Sequence, residues 1–163
     1  MSTGACILAH FTDPEKLIPA AAKLTADDAI TRWDAVDGHV QLVAWAADVK
    51  SARTAIAGLA GVDQVTAYES PSIANMAAPQ DTSQCYAYVF LEVEESKLDA
   101  VAASLKEIPE IIATVPARGG CDLIALVAGD SFSQVDGAIR DRVRPLDGVL
   151  RLKQNRIIDL KQL

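Results

Sequence analysis

The stretch Leu123-Ile124-Ala125-Leu126-Val127-Ala128 is apolar at every position. A strand with one face in water alternates apolar and polar residues, so we expect this strand to be covered on both faces. The stretch Leu42-Val43-Ala44-Trp45-Ala46-Ala47 in the first half of the chain has the same character. Since helices are expected on one face of each sheet, the other faces are predicted to pack against each other or against a second chain.

The segments around these two strands indicate an internal repeat. Residues 37–44 align with residues 118–125, and Ala5–Phe11 aligns without a gap with Gln84–Phe90, sharing Cys and Phe at the same positions. A duplicated unit is expected to pair with its copy about a pseudo-twofold axis.

The second copy is predicted to run strand, helix, strand, strand, helix, strand. This order is that of a ferredoxin-like α+β domain, with both helices on one face of an antiparallel sheet. Alternating residues, capping residues and prolines predict strands over 86–93, 111–117, 122–128 and 149–160, and helices over 96–108 and 131–144.

The first copy follows the same order. Pro19 interrupts its first helix, which therefore either starts late or kinks. The dipeptide Asp37-Gly38 predicts a hairpin between strands over 31–36 and 40–46.

The predicted fold class is α+β: two ferredoxin-like βαββαβ domains packed sheet to sheet, a pseudo-dimer like a dimeric α+β barrel. Their predicted ranges are 1–70 and 85–163. A linker over 71–84, rich in Ser, Ala, Pro and Asn, is predicted to join them.

The composition excludes several classes of function. The net charge of −7 suits a phosphate backbone poorly, so direct nucleic-acid binding is not expected. No apolar run approaches the roughly 20 residues of a membrane-spanning helix, and the N-terminus lacks the pattern of a signal peptide. Three widely spaced cysteines are typical of reduced thiols in a cytoplasmic protein.

Several short segments between residues 85 and 161 of the second copy match the pattern of a known family. In chain order they are Ala87–Val93, Lys97-Leu98, Leu105, Ile108-Pro109-Glu110, Arg118–Leu123, Arg140–Val143, Leu146–Val149 and Ile157-Ile158. Together they resemble the effector-binding domain of the Lrp/AsnC regulators, also called the RAM domain, and the first copy looks like a diverged version of it. The resemblance implies a domain that binds a small molecule, often an amino acid, where domains meet, and that assembles into dimers and rings. Members usually also carry a DNA-binding helix-turn-helix, which is not legible here.

The resemblance also points to candidate ligand-binding residues. The family's effector loop, Thr-Gly-x-Tyr-Asp before a strand, maps onto Arg118, Gly119, Gly120, Cys121 and Asp122, where Gly119 and Asp122 match and Arg118 and Cys121 depart. In the first copy, Gly38 and His39 occupy the corresponding places.

Each of these residues has an alternative explanation. The glycines form either a turn alone or a turn whose amides meet a carboxylate. Asp122 either holds a ligand ammonium or caps loop amides. Arg118 either binds a carboxylate or is an ordinary exposed arginine.

The resemblance therefore predicts a cytoplasmic, non-enzymatic sensor of an amino acid or similar small molecule, without its own DNA-binding domain. We expect it to form homo-oligomers or to assemble with DNA-binding relatives. No cofactor, metal site or catalytic residue is predicted. The alternatives are a purely structural interaction module, or an enzyme of the dimeric α+β barrel type. Because ferredoxin-like pairs include enzymes that act on haem-type substrates, His10 is the candidate functional residue in the enzyme alternative.

Overall fold

The computed structural model describes residues 4–71, 76–79 and 81–160. The chain divides into two compact units. Unit 1 comprises the described residues of Met1–Ile73 and Ile157–Leu163, and unit 2 comprises those of Ala74–Arg156. The predicted linker, 71–84, includes residues 72–75 and 80, which lie outside the described residues.

Unit 1 has the chain order β1, α1, β2, β3, α2, β4. Its four strands form an antiparallel sheet in the order β4-β1-β3-β2. The elements are β1 Gly4–Phe11, α1 Leu17–Ala26, β2 Arg32–Asp37, β3 Leu42–Ala46, α2 Val49–Ala57 and β4 Val62–Ser70.

Unit 2 repeats that plan, with its strands in the order β8-β5-β7-β6. Two ferredoxin-like α+β units are thus present, which confirms the predicted α+β class and the predicted plan of each copy. The elements are β5 Cys85–Val93, α3 Leu98–Lys106, β6 Ile111–Pro116, β7 Leu123–Gly129, α4 Phe132–Ala138 with a π-helical extension Ile139–Val143, and β8 Val149–Ile157.

Capping residues set where the helices begin. The Asp13 carboxylate accepts a hydrogen bond from the Glu15 N–H and starts a single 3₁₀ turn before α1. Because α1 begins only at Leu17, Pro19 lies in its first turn, where a helix needs no donor. The helix therefore starts late. In unit 2 the Ser131 hydroxyl accepts from the Gln134 N–H at 3.1 Å, as the capping signal predicts.

Both faces of the two apolar strands exclude solvent, as predicted. Every residue of β3 and β7 is buried. In β7, Leu123, Ala125 and Val127 pack with the helices of unit 2, while Ile124 and Leu126 on the opposite face are also fully buried.

The last described residues of the chain belong to unit 1, which differs from the predicted second domain, 85–163. The Ile158 N–H donates to the Ala35 carbonyl at 2.9 Å. Ile158 and Leu160 pack against the core formed by β1, β3, α1 and α2. The core of unit 1 is thus built from both ends of the chain.

The structure also corrects the alignment of the two copies. Cys6 pairs with Trp45 four residues beyond the β2–β3 turn, and Tyr88 pairs with Leu126 at the same place after the β6–β7 turn. Cys6 is therefore equivalent to Tyr88, three residues beyond the predicted match at Cys85. The shared Cys and Phe were a coincidence of composition, whereas hydrogen-bond register is set by the turns.

A glycine closes the same corner in each unit. The Gly61 carbonyl accepts from the Thr12 N–H at 2.9 Å, and the Gly148 carbonyl accepts from the Glu94 N–H at 2.7 Å. Both glycines have a positive φ, of 92° and 105°. A Cβ there would lie 2.9 Å from the Lys16 Cβ or 2.7 Å from the Lys97 Cβ, so only glycine fits.

Within the described residues, no helix is long and apolar enough to cross a membrane.

Candidate ligand-binding turn and its counterpart

The predicted site residues of unit 2 form the turn between β6 and β7. The Ala117 N–H donates to the Asp122 carbonyl at 3.0 Å, and the Asp122 N–H donates to the Leu91 carbonyl at 2.7 Å. Gly119 and Gly120 have φ values of 106° and 141°, a region that L side chains rarely adopt. The turn is thus held against the end of β5.

Asp122 stabilises this end of β5 through its side chain. Its Oδ2 accepts a hydrogen bond from the Val93 N–H at 2.8 Å. Val93 follows an irregularity in the pairing of β5 with β8, where the regular ladder of backbone hydrogen bonds is interrupted. Asp122 therefore does cap an amide, although the amide belongs to β5 and not to the turn.

Cys121 is buried, with 4% of its surface exposed. Burial, with the nearby carboxylates of Asp122 and Glu92 as smaller causes, raises the pKa of its thiol to about 12. The thiol is neutral near pH 7, which argues against a role as a thiolate nucleophile.

Arg118, Gly119 and Gly120 are the exposed part of the turn. Within the described ranges the Arg118 guanidinium forms no ion pair. A planar guanidinium beside exposed glycine backbone offers donors that suit a carboxylate.

The corresponding turn in unit 1 uses the same three hydrogen bonds. The Val36 N–H donates to the Gln41 carbonyl at 2.9 Å, and the Gln41 N–H donates to the Ala9 carbonyl at 3.1 Å. The Gln41 Oε1 accepts from the Phe11 N–H at 2.7 Å, as Asp122 does from Val93. Gln41 is thus the structural counterpart of Asp122.

Gly38 and His39 are exposed in this turn, at the places of Gly119 and Gly120. The hairpin predicted at Asp37-Gly38 is present, since β2 pairs with β3, but its connection differs from the expected one. Asp37 is the last residue of β2, four residues connect it to β3, and Gly38 does not have a positive φ. The hydrogen bonds of Gln41 to β1 lengthen the connection beyond a two-residue turn.

A second feature of unit 1 lies beside this turn, at the end of β1. His10 pairs with Gln64 and Phe11 pairs with Val62, so Asp63 is an extra residue in β4. Such a β-bulge redirects a side chain. The His10 Nδ1 lies 2.5 Å from the Asp63 Oδ1, and both side chains are partly exposed. Sequence reasoning singled out His10 but missed Asp63, because only the register of β4 brings the two together.

Unit 2 has the same bulge with different side chains. Glu92 pairs with Arg151 and Val93 pairs with Val149, so Leu150 is the extra residue. The Glu92 Oε2 lies 3.3 Å from the Arg151 Nε, and Leu150 is 71% exposed. The bulge itself therefore does not require a His–Asp pair.

Other possible sites lie away from these turns. A groove of about 250 Å³ between α1 and α2 is lined by Leu24 and Leu59, among others, and one of about 260 Å³ lies beside Glu110. Neither contains a predicted site residue. Within the described ranges, no group of three His, Cys, Asp or Glu side chains is placed to hold a metal ion.

One family model matches most of unit 2. The family described as "Lrp/AsnC ligand binding domain" matches residues 86–159. Unit 2 is therefore similar to this domain over residues 86–159. The resemblance predicted from the sequence is confirmed. No curated protein matches the chain.

Solved structures show the same fold over nearly the whole chain. The siroheme decarboxylase NirDL matches with a TM-score of 0.76 and 8% identity, covering 96% of this chain and 72% of that chain. A chlorite dismutase from Candidatus Nitrospira defluvii matches with a TM-score of 0.60 and 8% identity, covering 98% and 92%. The protein TTHA0845 from Thermus thermophilus is similar to 46% of this chain over 94% of its own length, with a TM-score of 0.45 and 21% identity.

These matches overturn one prediction. The expectation that the protein is not an enzyme is contradicted, because the structures that match nearly the whole chain are those of enzymes. An Lrp/AsnC ligand binding domain within such a fold is therefore no argument against catalysis.

Proposed function

We propose that the protein binds a small carboxylate-bearing molecule, of the amino-acid type, at the Arg118–Asp122 turn of its Lrp/AsnC ligand binding domain. The observation that supports the proposal is an exposed arginine, Arg118, beside two exposed glycines in a turn that the hydrogen bonds of Asp122 attach to β5. The bonds of Asp122 to β5 fix the turn before any ligand arrives, which lowers the entropic cost of binding.

The geometry favours recognition of the carboxylate over recognition of the ammonium. Asp122 already accepts a hydrogen bond from the chain, and the neutral thiol of Cys121 brings no charge. Arg118 is the charged group of the turn that is open to solvent. We therefore assign the main contact to Arg118 and a supporting role to Asp122.

Isothermal titration calorimetry of the whole protein against amino acids, their methyl esters and simple carboxylic acids tests this proposal. A hydrogen bond to a charged group contributes about 1.5–3 kcal/mol, so Arg118→Ala should weaken binding about 10- to 100-fold. The ester of a bound acid should lose a similar factor. Arg53→Ala, which removes an exposed arginine of α2, is the matched control. The proposal fails if no compound binds at millimolar concentration, or if Arg118→Ala binds as the wild type does.

The output of binding, in this proposal, is a change in self-association or in assembly with DNA-binding relatives. Support comes from the family of the domain, and the acidic net charge argues against direct contact with DNA. Light scattering with and without the bound acid measures this output. An unchanged mass at saturation would leave the binding proposal intact and remove the regulatory one.

A second candidate function is binding or conversion of an iron tetrapyrrole. Its support is the fold match over 96% of the chain to a siroheme decarboxylase, which has also been solved with an iron-uroporphyrin III analogue. One observation on this chain fits such a group. The His10 ring is held at Nδ1 by Asp63, so a single imidazole nitrogen remains available. When bound, the iron would supply redox and Lewis-acid chemistry. A Soret band in the purified protein, or its appearance on adding hemin, tests this candidate.

A further inference from the structure

We infer that His10 of unit 1 is a single-imidazole ligand for the iron of a tetrapyrrole, positioned by Asp63. This inference deepens the second candidate function and rests on it. It does not depend on ligand binding at the Arg118–Asp122 turn.

The first step is that the His–Asp pair is not a requirement of the fold. In both units the last strand has a bulge opposite the end of the first strand, and the same turn bonds to that end. Unit 2 has Glu92 at the position of His10 and an exposed Leu150 at the position of Asp63. The backbone is therefore satisfied without the pair, and the pair calls for another explanation.

The second step is the chemistry of the ring. With the Asp63 carboxylate 2.5 Å from Nδ1, the neutral imidazole carries its proton on Nδ1 and leaves the lone pair on Nε2. A carboxylate on the far nitrogen is the usual arrangement of a metal-binding histidine, since it fixes the ring and raises its basicity. Within the described ranges the His10 ring forms no other hydrogen bond, and 37% of its side chain is exposed.

The third step decides between a bare ion and a macrocycle. A zinc or copper ion needs three or four protein ligands, and the described residues do not offer such a group. The iron of a tetrapyrrole brings four ring nitrogens with it and needs one or two axial ligands. A lone oriented imidazole fits the second case.

Titration of the whole protein with hemin, followed by its absorption spectrum, tests the inference. The chain has two histidines, so two single variants are enough to show which one ligates the iron. The wild type should show a shifted, saturable Soret band, and His10→Ala should lose it. His39→Ala, the matched control, should keep the band. Asp63→Asn should weaken binding about 10- to 100-fold, as outer-shell partners of metal ligands typically do.

Added imidazole gives a further check on the role of His10. It should restore the ligated spectrum of His10→Gly by occupying the vacated axial position. Circular dichroism confirms that each variant is folded. Adsorption of hemin without ligation would give a broad band that His10→Ala does not change, and this result overturns the inference.

The outcomes separate the inference from the function on which it rests. If the wild type binds hemin through a ligated state that survives in His10→Ala, the tetrapyrrole function stands and the assignment of His10 fails. If the wild type forms no ligated complex, both fail. If Asp63→Asn binds as tightly as the wild type with the same spectrum, the positioning role of Asp63 fails.

Discussion

The turns of unit 1 and unit 2 share one backbone frame and differ in chemistry. In each unit, one hydrogen bond closes the turn and two hold it against the first strand, through Gln41 in unit 1 and Asp122 in unit 2. Unit 2 adds Arg118 and two glycines at positive φ, whereas unit 1 has His39 and no positive φ at Gly38. The difference teaches that the frame belongs to the fold, while the exposed residues are free to specialise.

The largest expected effect comes from breaking the corner that both units share. Gly148→Ala and Gly61→Ala each place a Cβ against a lysine Cβ at a positive φ. We expect each to destabilise the protein by about 2–4 kcal/mol, from backbone strain plus overpacking. Denaturant unfolding measures the change in its midpoint and slope.

Gly58→Ala is the control for this pair. Gly58 has a φ of −82°, and the nearest atom to an added Cβ lies 3.5 Å away. We expect this variant to be neutral or slightly stabilising. A loss equal to that of Gly148→Ala would contradict the strain explanation.

A smaller effect should follow from removing the side-chain acceptors of the two turns. Asp122→Ala and Gln41→Ala each leave a backbone N–H of the bulge without its partner. Each should cost about 1–3 kcal/mol in unfolding experiments. Asp122→Asn keeps an acceptor and should cost less than Asp122→Ala. If the alanine variants are neutral, the shared frame does not depend on these side chains.

The two turns also differ at the position of Cys121, where unit 1 has Val40. Because only the cysteine can ionise, this position should make the stability of the protein depend on pH. The folded pKa of Cys121 is raised from 9.0 to about 12, so the native state holds its proton more tightly than the unfolded state. The resulting stability is complete below pH 9 and is lost between pH 9 and 12, by about 1.4 kcal/mol per pH unit.

The variant Cys121→Val, which copies unit 1, should lack this component. Its stability relative to the wild type should therefore improve from pH 8 to pH 10, by about 1 kcal/mol. Unfolding midpoints at the two pH values measure the difference. Equal pH dependence in both proteins would show that the thiol is not shielded as the structure indicates.

Strand identity and the start of α4 were predictable because they depend on local patterns. The unbroken apolar run of Leu123–Ala128 predicted a strand buried on both faces, and Ser131 predicted the start of α4. The turn between β6 and β7 was also predictable, since its two glycines and Asp122 lie close together in the chain. Such signals need no knowledge of distant residues.

Features that depend on register were not predictable. Matching letters aligned Cys6 with Cys85, while the turn and the bulge make Tyr88 its counterpart. The partner of His10 lies 53 residues away and faces it only because β4 carries one extra residue. The connection between β2 and β3 is likewise longer than predicted, and its residue Gln41 bonds to β1. Each outcome is decided by long-range pairing, which a local pattern does not contain.

The hydrogen bond between Ile158 and Ala35 has a consequence for synthesis on the ribosome. Unit 2 is one continuous stretch, so every residue it needs has been translated before Ile158 is added. Unit 1 waits for that residue to complete its core, although most of its sequence emerges first. Domains usually mature in the order of translation, and contacts between distant parts of a chain form slowly. In this protein the half made first should be the half that finishes last.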